Sequence, residues 1–367
     1  MKEVGRMQKI KDSFHNMQKM PAFTGFALFL FALVLLIVLQ GPYRFFSARN
    51  INTLFLTSMP FLLVVIGQSV LLISGTLDLS IGKQVALVNV VTIMTVQEWG
   101  IPFLLGCLIG ILAAIVASLV CWLFISVLRL PDLLVGFAMI FVIRGVNLLI
   151  MPLPQGSIPM SYWMLYESRI LGFLPFSALF LVLVLLIWAY LKRTRFGINI
   201  YAVGANPQNA FAAGISPVKV QLQAFLFKGF VVGLAGICIT LMSASGNPNQ
   251  GEELGLRSIA AAIIGGLTFG GWGTLACGVF GAGFFVLIQN SVRFFFDLIF
   301  RIFPQLGGVA VVTFWHNLFA DVIIFLGLLM TIVTMKGQRE ALTASIQNKY
   351  MQITGKHPLK RMDTDAK

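Results

Sequence analysis

The sequence predicts an all-α, polytopic membrane protein of about ten transmembrane helices, some of them interrupted inside the bilayer. Three observations carry this. Hydrophobic residues make up 58% of the chain and charged residues 11%, with a mean hydropathy of +0.91, whereas soluble domains are about 25% charged. Apolar runs recur at lengths near the roughly 20 residues that a bilayer requires. The 35 glycines point to close helix packing and broken helices. Long polar stretches occur at residues 1–20 and 337–367. Residues 21–336 therefore form one transmembrane domain, with no room for a soluble catalytic domain.

The net charge of +13 would suit nucleic acid, but its placement points to membrane lipid instead. Most of the 26 Lys and Arg fall on one side of the predicted topology: residues 1–20, Lys83, Arg129, the loop 192–217 with Lys219, and the tail. By the positive-inside bias that side is cytoplasmic and holds both termini of a multi-pass protein. Arg144, Arg169 and Arg257 fall toward the other side. The N-terminal segment resembles a signal peptide, yet no small-residue cleavage site follows, so it reads as a retained first span. Cys107, Cys121, Cys238 and Cys277 all lie in apolar runs without disulfide or metal spacing and read as small core residues.

In chain order, residues 1–20 are basic and mildly amphipathic, suited to the membrane surface. Span 1 covers 22–40 and ends at Gly41-Pro42. Span 2 covers 51–73, with Pro60 and Gly67-Gln68-Ser69 favouring a kink. Next comes Ser74-Gly-Thr-Leu-Asp78-Leu-Ser80-Ile-Gly82-Lys83, where an acid between two apolar runs needs partners. Either Asp78 or Ser80 caps span 3 (79–96), or the broken end lines a solute cavity; the two roles are compatible. A phosphate-binding loop does not fit, because Gly75 and Gly82 are separated by six residues and Gln84 replaces the required hydroxyl. Spans 4, 5 and 6 cover 103–128, 133–150 and 174–191. The outer loop between the last two carries Tyr162, Trp163 and Tyr166 as interfacial aromatics.

Residues 192–217 are basic but too ordered for a linker. Gly204-Ala-Asn206-Pro207 reads as a turn that caps a short helix over 208–213, with Gly214 ending it and Pro217 opening span 7. Lys228 lies roughly 11 residues into span 7, about 16 Å deep. There it must face a cavity or a partner unless it snorkels. Residues 243–257 cannot form a continuous helix. A short apolar segment over 258–267 follows, then a glycine-rich break, span 9 (274–296, with Gln289-Asn290) and span 10 (311–335, with His316 and Asp321). The Gly75–Asp78–Leu79 break after span 2 is echoed by Gly251–Glu253–Leu254 after span 7. Paired interruptions of this kind point to a transport site.

These motifs resemble the membrane permease subunit of ABC sugar importers of the ribose/xylose type, within the branched-chain amino acid/sugar permease superfamily. The matches run in order over residues 50–335. They are Gly75-Thr-Leu-Asp78-Leu-Ser80-Ile-Gly82; Arg144-Gly145; Thr194-Arg-Phe-Gly197 with Tyr201-Ala-Val-Gly204-Ala-Asn206 and Gly214-Ile215; Ile259 to Gly266 with Gly270-Gly271; and Gln289-Asn290. The resemblance implies a vitamin-B12-permease-like fold of the type II importers. It also implies a second permease, identical or paralogous, a separate cytoplasmic ABC ATPase that uses the ATP, and an extracytoplasmic sugar-binding protein. It implies, further, that this chain itself holds no cofactor or metal and catalyses no reaction. Gly204, Asn206, Ala210 and Gly214 are then the residues that couple to the ATPase. Asp78, Ser80, Asn89, Lys228 and Asn290 are the substrate-path candidates.

Two departures concern the solute. Arg257 stands where the family has an acid, and Lys228 where it has a small or uncharged residue. Extra cations of this kind favour an acidic sugar derivative over a neutral pentose or hexose. In that case Lys228→Gln lowers uptake of the acidic solute more than of a neutral one. The rival reading is a single-chain secondary transporter driven by an ion gradient, for which Asp78 and Asp321 are the available acids. A membrane-embedded enzyme is a third class, but no metal cluster or nucleophile–base pair has readable spacing.

Overall fold

The computed structural model describes residues 22–302 and 309–334, except 171, 173 and 269. The basic segment 1–20 and the tail 337–367 lie outside the described residues, and so do the side chains of His316 and Asn317. The described chain is helical apart from a two-stranded hairpin, β1 (Arg169–Ile170) with β2 (Leu174–Pro175).

Helices α1 (Phe23–Gln40), α2 (Pro42–Phe45), α3 (Ala48–Ile73) and α4 (Ile81–Gln97) come first. Then follow α5 (Phe103–Trp122), extended by a π-turn over Leu123–Val127, α6 (Asp132–Ile150), α7 (Met160–Glu167) and α8 (Ala178–Leu191). The second half holds α9 (Arg195–Ala205), α10 (Pro207–Ala212), α11 (Pro217–Ser243), α12 (Leu254–Ile264), α13 (Leu275–Ile302) and α14 (Val309–Thr334). Six helical segments among the described residues are long and apolar enough to cross a membrane, with several shorter apolar helices beside them. Pro60 does not divide α3, which runs unbroken through it. α13 continues a turn and a half past the expected end at 296.

The core is built around α3 and α11. Their 18-residue apolar windows are 89% and 83% buried, against 22% for α1, so these two are the central helices and α1 is peripheral. α11 lies along α3, α4 and α5, while α13 lies along α1, α3, α12 and α14. Small residues permit the close approaches: a Cβ on Gly229 would meet the Ile115 backbone and Ser118, and one on Gly233 would meet Ile111. This is the contact mode expected where lipid supplies no hydrophobic drive between helices.

Hydrogen bonds and contacts between helix ends define two faces. One carries residues 192–217; there Trp122 Nε1 donates to the Val218 carbonyl and the Leu77 amide to Asp132 Oδ2. On the opposite face Asn50 donates to Gln40, Gln97 to the Ser157 carbonyl, and Gln155 and Gly246 exchange backbone hydrogen bonds. α4 and α12 do not run the full distance. α4 starts inside the bundle at Ile81 and ends at the opposite face. α12, with 11 residues, starts inside and ends at the loop face. Its length of about 16 Å is half the roughly 30 Å hydrocarbon thickness.

Candidate functional site at the junction of the interrupted helices

The two interruptions meet. Residues 74–80 rise from the end of α3 to the start of α4, and residues 244–253 descend from the end of α11 to the start of α12. Gly82 lies against the Gly251 carbonyl, and Gly255 against the Leu79 carbonyl, so closely that a Cβ at either position would overlap backbone. The resemblance between the two breaks in sequence is thus also a contact in space.

At this junction Asp78, Ser80 and Lys228 come together, all fully buried. Lys228 Nζ lies 2.7 Å from Asp78 Oδ2 and donates at 2.7 Å to Gln84 Oε1. Asp78 Oδ1 accepts from the Ser80 amide at 2.8 Å and its hydroxyl at 2.6 Å, and Gln84 Nε2 donates to Asp78 Oδ2 at 2.8 Å. Ser118 donates to Gln84 Oε1. The Gln68 side-chain amide, oriented to match its partners, bridges the backbone carbonyl and amide of Asp78. Ser80, the residue before α4, makes no side-chain cap to the helix. The acid at this break therefore serves a lysine on α11 more than the amides of α4. A buried pair satisfied this fully costs little by itself, but removing one partner strands a charge at a cost of about 3–5 kcal/mol.

Asn89 and Asn290 stand apart from this cluster. Asn89 clasps the descending segment: its Nδ2 donates to Thr240 Oγ1 and the Ser245 carbonyl, and its Oδ1 accepts from the Asn247 amide at 2.8 Å. Asn290 donates to the Val286 carbonyl of its own helix. Lys83, expected with the charges of the loop face, instead lies in the first turn of α4, where the Asn147 side chain donates to its carbonyl. It is 2% exposed and 3.4 Å from Glu252, which also faces Arg144 at 3.9 Å. Arg257 pairs with Glu253 one turn back and with Asp321 of α14 at 3.5 Å. It belongs to α12, which begins a turn before the expected 258.

Sequence reasoning gave no partner role to Gln68, Gln84, Ser118, Glu252 or Asn147. The usable signal was a long polar side chain inside an apolar run, at a depth where it needs a protein partner. Among the described residues no group of His, Cys, Asp and Glu is placed to hold a metal.

At the loop face the chain is ordered, as its turn chemistry predicts. The element that the turn at 204–207 stops is α9, which buries Phe196, Gly197, Ile200, Val203 and Gly204 along one stripe. α10 then starts at Pro207. Asn206 Oδ1 accepts from the amides of Gln208 and Asn209 at 3.0 and 2.9 Å. The Ile215 amide returns to the Ala210 carbonyl and that of Gly214 to Phe211, closing the helix with Gly214 at φ 82°. Ala210 is buried, whereas Phe211 is 70% exposed. Gly204 sits between the Ile73 carbonyl at the end of α3 and the turn at Gly271 that follows α12; a Cβ there would overlap Ile73. One glycine thus touches the loop-face ends of both interrupted hairpins.

Central buried helices, two broken segments meeting at mid-depth and a structured loop at one face define a multi-pass transport permease. The chain belongs to the family described as the branched-chain amino acid transport system / permease component, which matches residues 50–333. It is 28% identical over 272 residues to the autoinducer 2 import system permease protein LsrC of Photorhabdus luminescens, covering 71% of this chain and 81% of that protein. It is 29% identical over 260 residues to the inner membrane ABC transporter permease protein YjfF of Escherichia coli, covering 68% and 77%. It is 28% identical over 274 residues to the D-allose transport system permease protein AlsC of the same organism, covering 72% and 82%.

Proposed function

We propose that this chain is the membrane-spanning subunit of an ATP-driven importer that takes a monosaccharide from an extracytoplasmic binding protein. The observation that carries the reading is the seating of Gly204. A displacement of α9–α10 reaches the end of α3 and the turn at Gly270-Gly271 that follows α12 directly, and through them both breaks at the junction. Relatives named for D-allose and autoinducer 2 import support a sugar-like solute.

In this reading a cytoplasmic ATPase docks on α9–α10. Asn206 and Gly214 fix the two ends of α10, Ala210 seats it, and Gly204 transmits its motion. A second permease completes the path, both termini face the cytoplasm, and the full chain has about ten spans of the vitamin-B12-permease kind. Asp78, Ser80 and Lys228 act as a latch between α11 and the first break. Asn89 holds the second break in register, and Asn290, half-buried, bonds back to its own helix α13. Because Asp78 neutralises Lys228, this lysine gives no net charge with which to select an acidic solute.

The test is uptake by the assembled complex in proteoliposomes, using radiolabelled D-allose, D-ribose and D-xylose with the binding protein supplied outside. Uptake of at least one sugar that requires ATP in the ATPase-facing compartment is expected. Uptake that needs an ion gradient and ignores ATP contradicts the proposal.

A further inference from the structure

The two breaks are held in different ways. The first, residues 74–80, is fixed from within. Its Asp78–Lys228 pair is fully buried, the Gln68 amide bridges the Asp78 backbone, and the Thr76 amide returns to the Leu71 carbonyl of α3. The second, residues 244–253, is held at its two ends. One end is pinned where Gly251 packs backbone to backbone on Gly82. The other is joined to a separate piece of chain, the segment 151–158 that follows α6. Gln155 and Gly246 exchange backbone hydrogen bonds at 3.1 and 3.0 Å, and the Ile158 amide donates to the Ala244 carbonyl at 3.2 Å. Met151 and Ile158 are buried and anchor this segment, whereas Pro152 to Gln155 between them are exposed, Leu153 at 73%. The segment is tied in turn to the end of α4. Gln97 Nε2 donates to the Ser157 carbonyl at 2.9 Å, and Gly156, at φ 78°, lies against Ile93.

The segment is anchored at both ends and joined to the second break by backbone hydrogen bonds beside exposed residues. Bonds of that kind open at a lower free energy than those of a buried core. Ala244, which caps the end of α11, has φ 54°, a left-handed conformation that residues with a Cβ seldom adopt. Such a conformation persists where the surroundings over-determine it. Here the Ile158 amide on the Ala244 carbonyl and the Asn89 amide on the next carbonyl, that of Ser245, supply the restraint. Loss of the 151–158 contact removes half of it, and a backbone change at 244 turns everything that follows. Gly251, at φ 73°, supplies a pivot at the other end, where glycine rotates at no steric cost.

We infer that residues 151–158 are a releasable strap. Closed, it fixes the second break; open, it lets residues 244–250 swing about Gly251 while the first break stays in place. The second break leads through α12 to the turn at Gly270-Gly271 against Gly204, so the strap links the face opposite the loop to α9–α10. That consequence for transport rests on the importer reading; the strap itself does not.

A Cβ at Gly156 would touch Ile93 Cγ2 and so lie about 4 Å from the Ile93 Cβ, the separation that a disulfide spans. Ile93→Cys with Gly156→Cys, in the full chain assembled with its partners in nanodiscs, is therefore oxidised to lock the strap and reduced to free it. The four native cysteines are buried. Hydrogen exchange read by mass spectrometry compares residues 244–250 with 74–80. Oxidation is expected to slow exchange at 244–250 about tenfold or more, reducing agent to restore it, and 74–80 to stay unchanged. Gln97→Ala, which removes the bond to Ser157 without adding a cysteine, should speed exchange at 244–250 severalfold. Equal exchange there with the disulfide formed and reduced, or in Gln97→Ala and the unmodified chain, overturns the strap. A disulfide that does not form on oxidation contradicts the contact on which the strap depends. In proteoliposomes, ATP-driven uptake should fall at least tenfold in the locked form and return on reduction, and full uptake with the strap locked overturns its link to transport. Uptake that ignores ATP in both forms counts against the importer reading alone, and the exchange result still decides the strap.

Discussion

At the scale of single residues, the pairing of Asp78 with Lys228 organises the junction. Each was legible in sequence as an ionisable group too deep to ignore, but their partnership was not. They are 150 positions apart, and contact depends on how α11 is rotated against the first break. Gln84 and Gln68, which complete the hydrogen bonding, looked incidental because nothing local requires them. Lys228→Met should therefore lower stability by about 3–5 kcal/mol, the cost of an orphaned buried charge. Asp78→Leu combined with Lys228→Met should recover most of that loss. Thermal unfolding of the two variants in nanodiscs checks this, and equal losses in both would sink the pairing as the cause. Asn89→Ala leaves the amide of Asn247 and the carbonyl of Ser245 without their partner. A loss of about 1–3 kcal/mol is expected, together with faster proteolysis at residues 244–253.

Among elements, α9 and α10 teach the most about legibility. The cap at Asn206, the end at Gly214 and the start of α11 at Pro217 were readable because each uses local hydrogen-bond chemistry. α9 was not, because its two glycines and basic flank look like loop. Its buried stripe, with Phe196 and Ile200 four apart and Val203 and Gly204 following, has helical spacing, but the stripe has meaning only once α3 and the Gly270-Gly271 turn are beside it. Asn206→Ala should cost about 1 kcal/mol as a lost cap and weaken ATPase binding without changing the fold, as read by circular dichroism and a pull-down. Gly204→Val forces a side chain into the Ile73 carbonyl. Overpacking costs about 1–3 kcal/mol, and the expected signature is ATP hydrolysis retained with uptake lost. Parallel loss of both activities would argue that Gly204 does not transmit motion. The helices themselves were legible mostly to within a few residues, and six of those described have the length and apolarity that a bilayer sets. The start of α12 at Leu254 and the depth of Lys83 were not, because both depend on the second break folding back against the first.

For the whole molecule, two halves each contain a central buried helix followed by a break, α3 with 74–80 and α11 with 244–253, and the breaks press together at mid-depth. A bundle built this way is fixed at its centre and open to leverage at its loop-face ends. It is suited to transmit the motion of a partner. The most direct test is gentle affinity purification of the tagged chain from native membranes, with co-purifying chains identified and quantified by mass spectrometry. An ATPase carrying a phosphate-binding loop is expected in roughly equal amount, and lost in a variant with Asn206 and Phe211 both changed to Ala. Recovery of the chain alone, still moving solute down an ion gradient in vesicles, would contradict it.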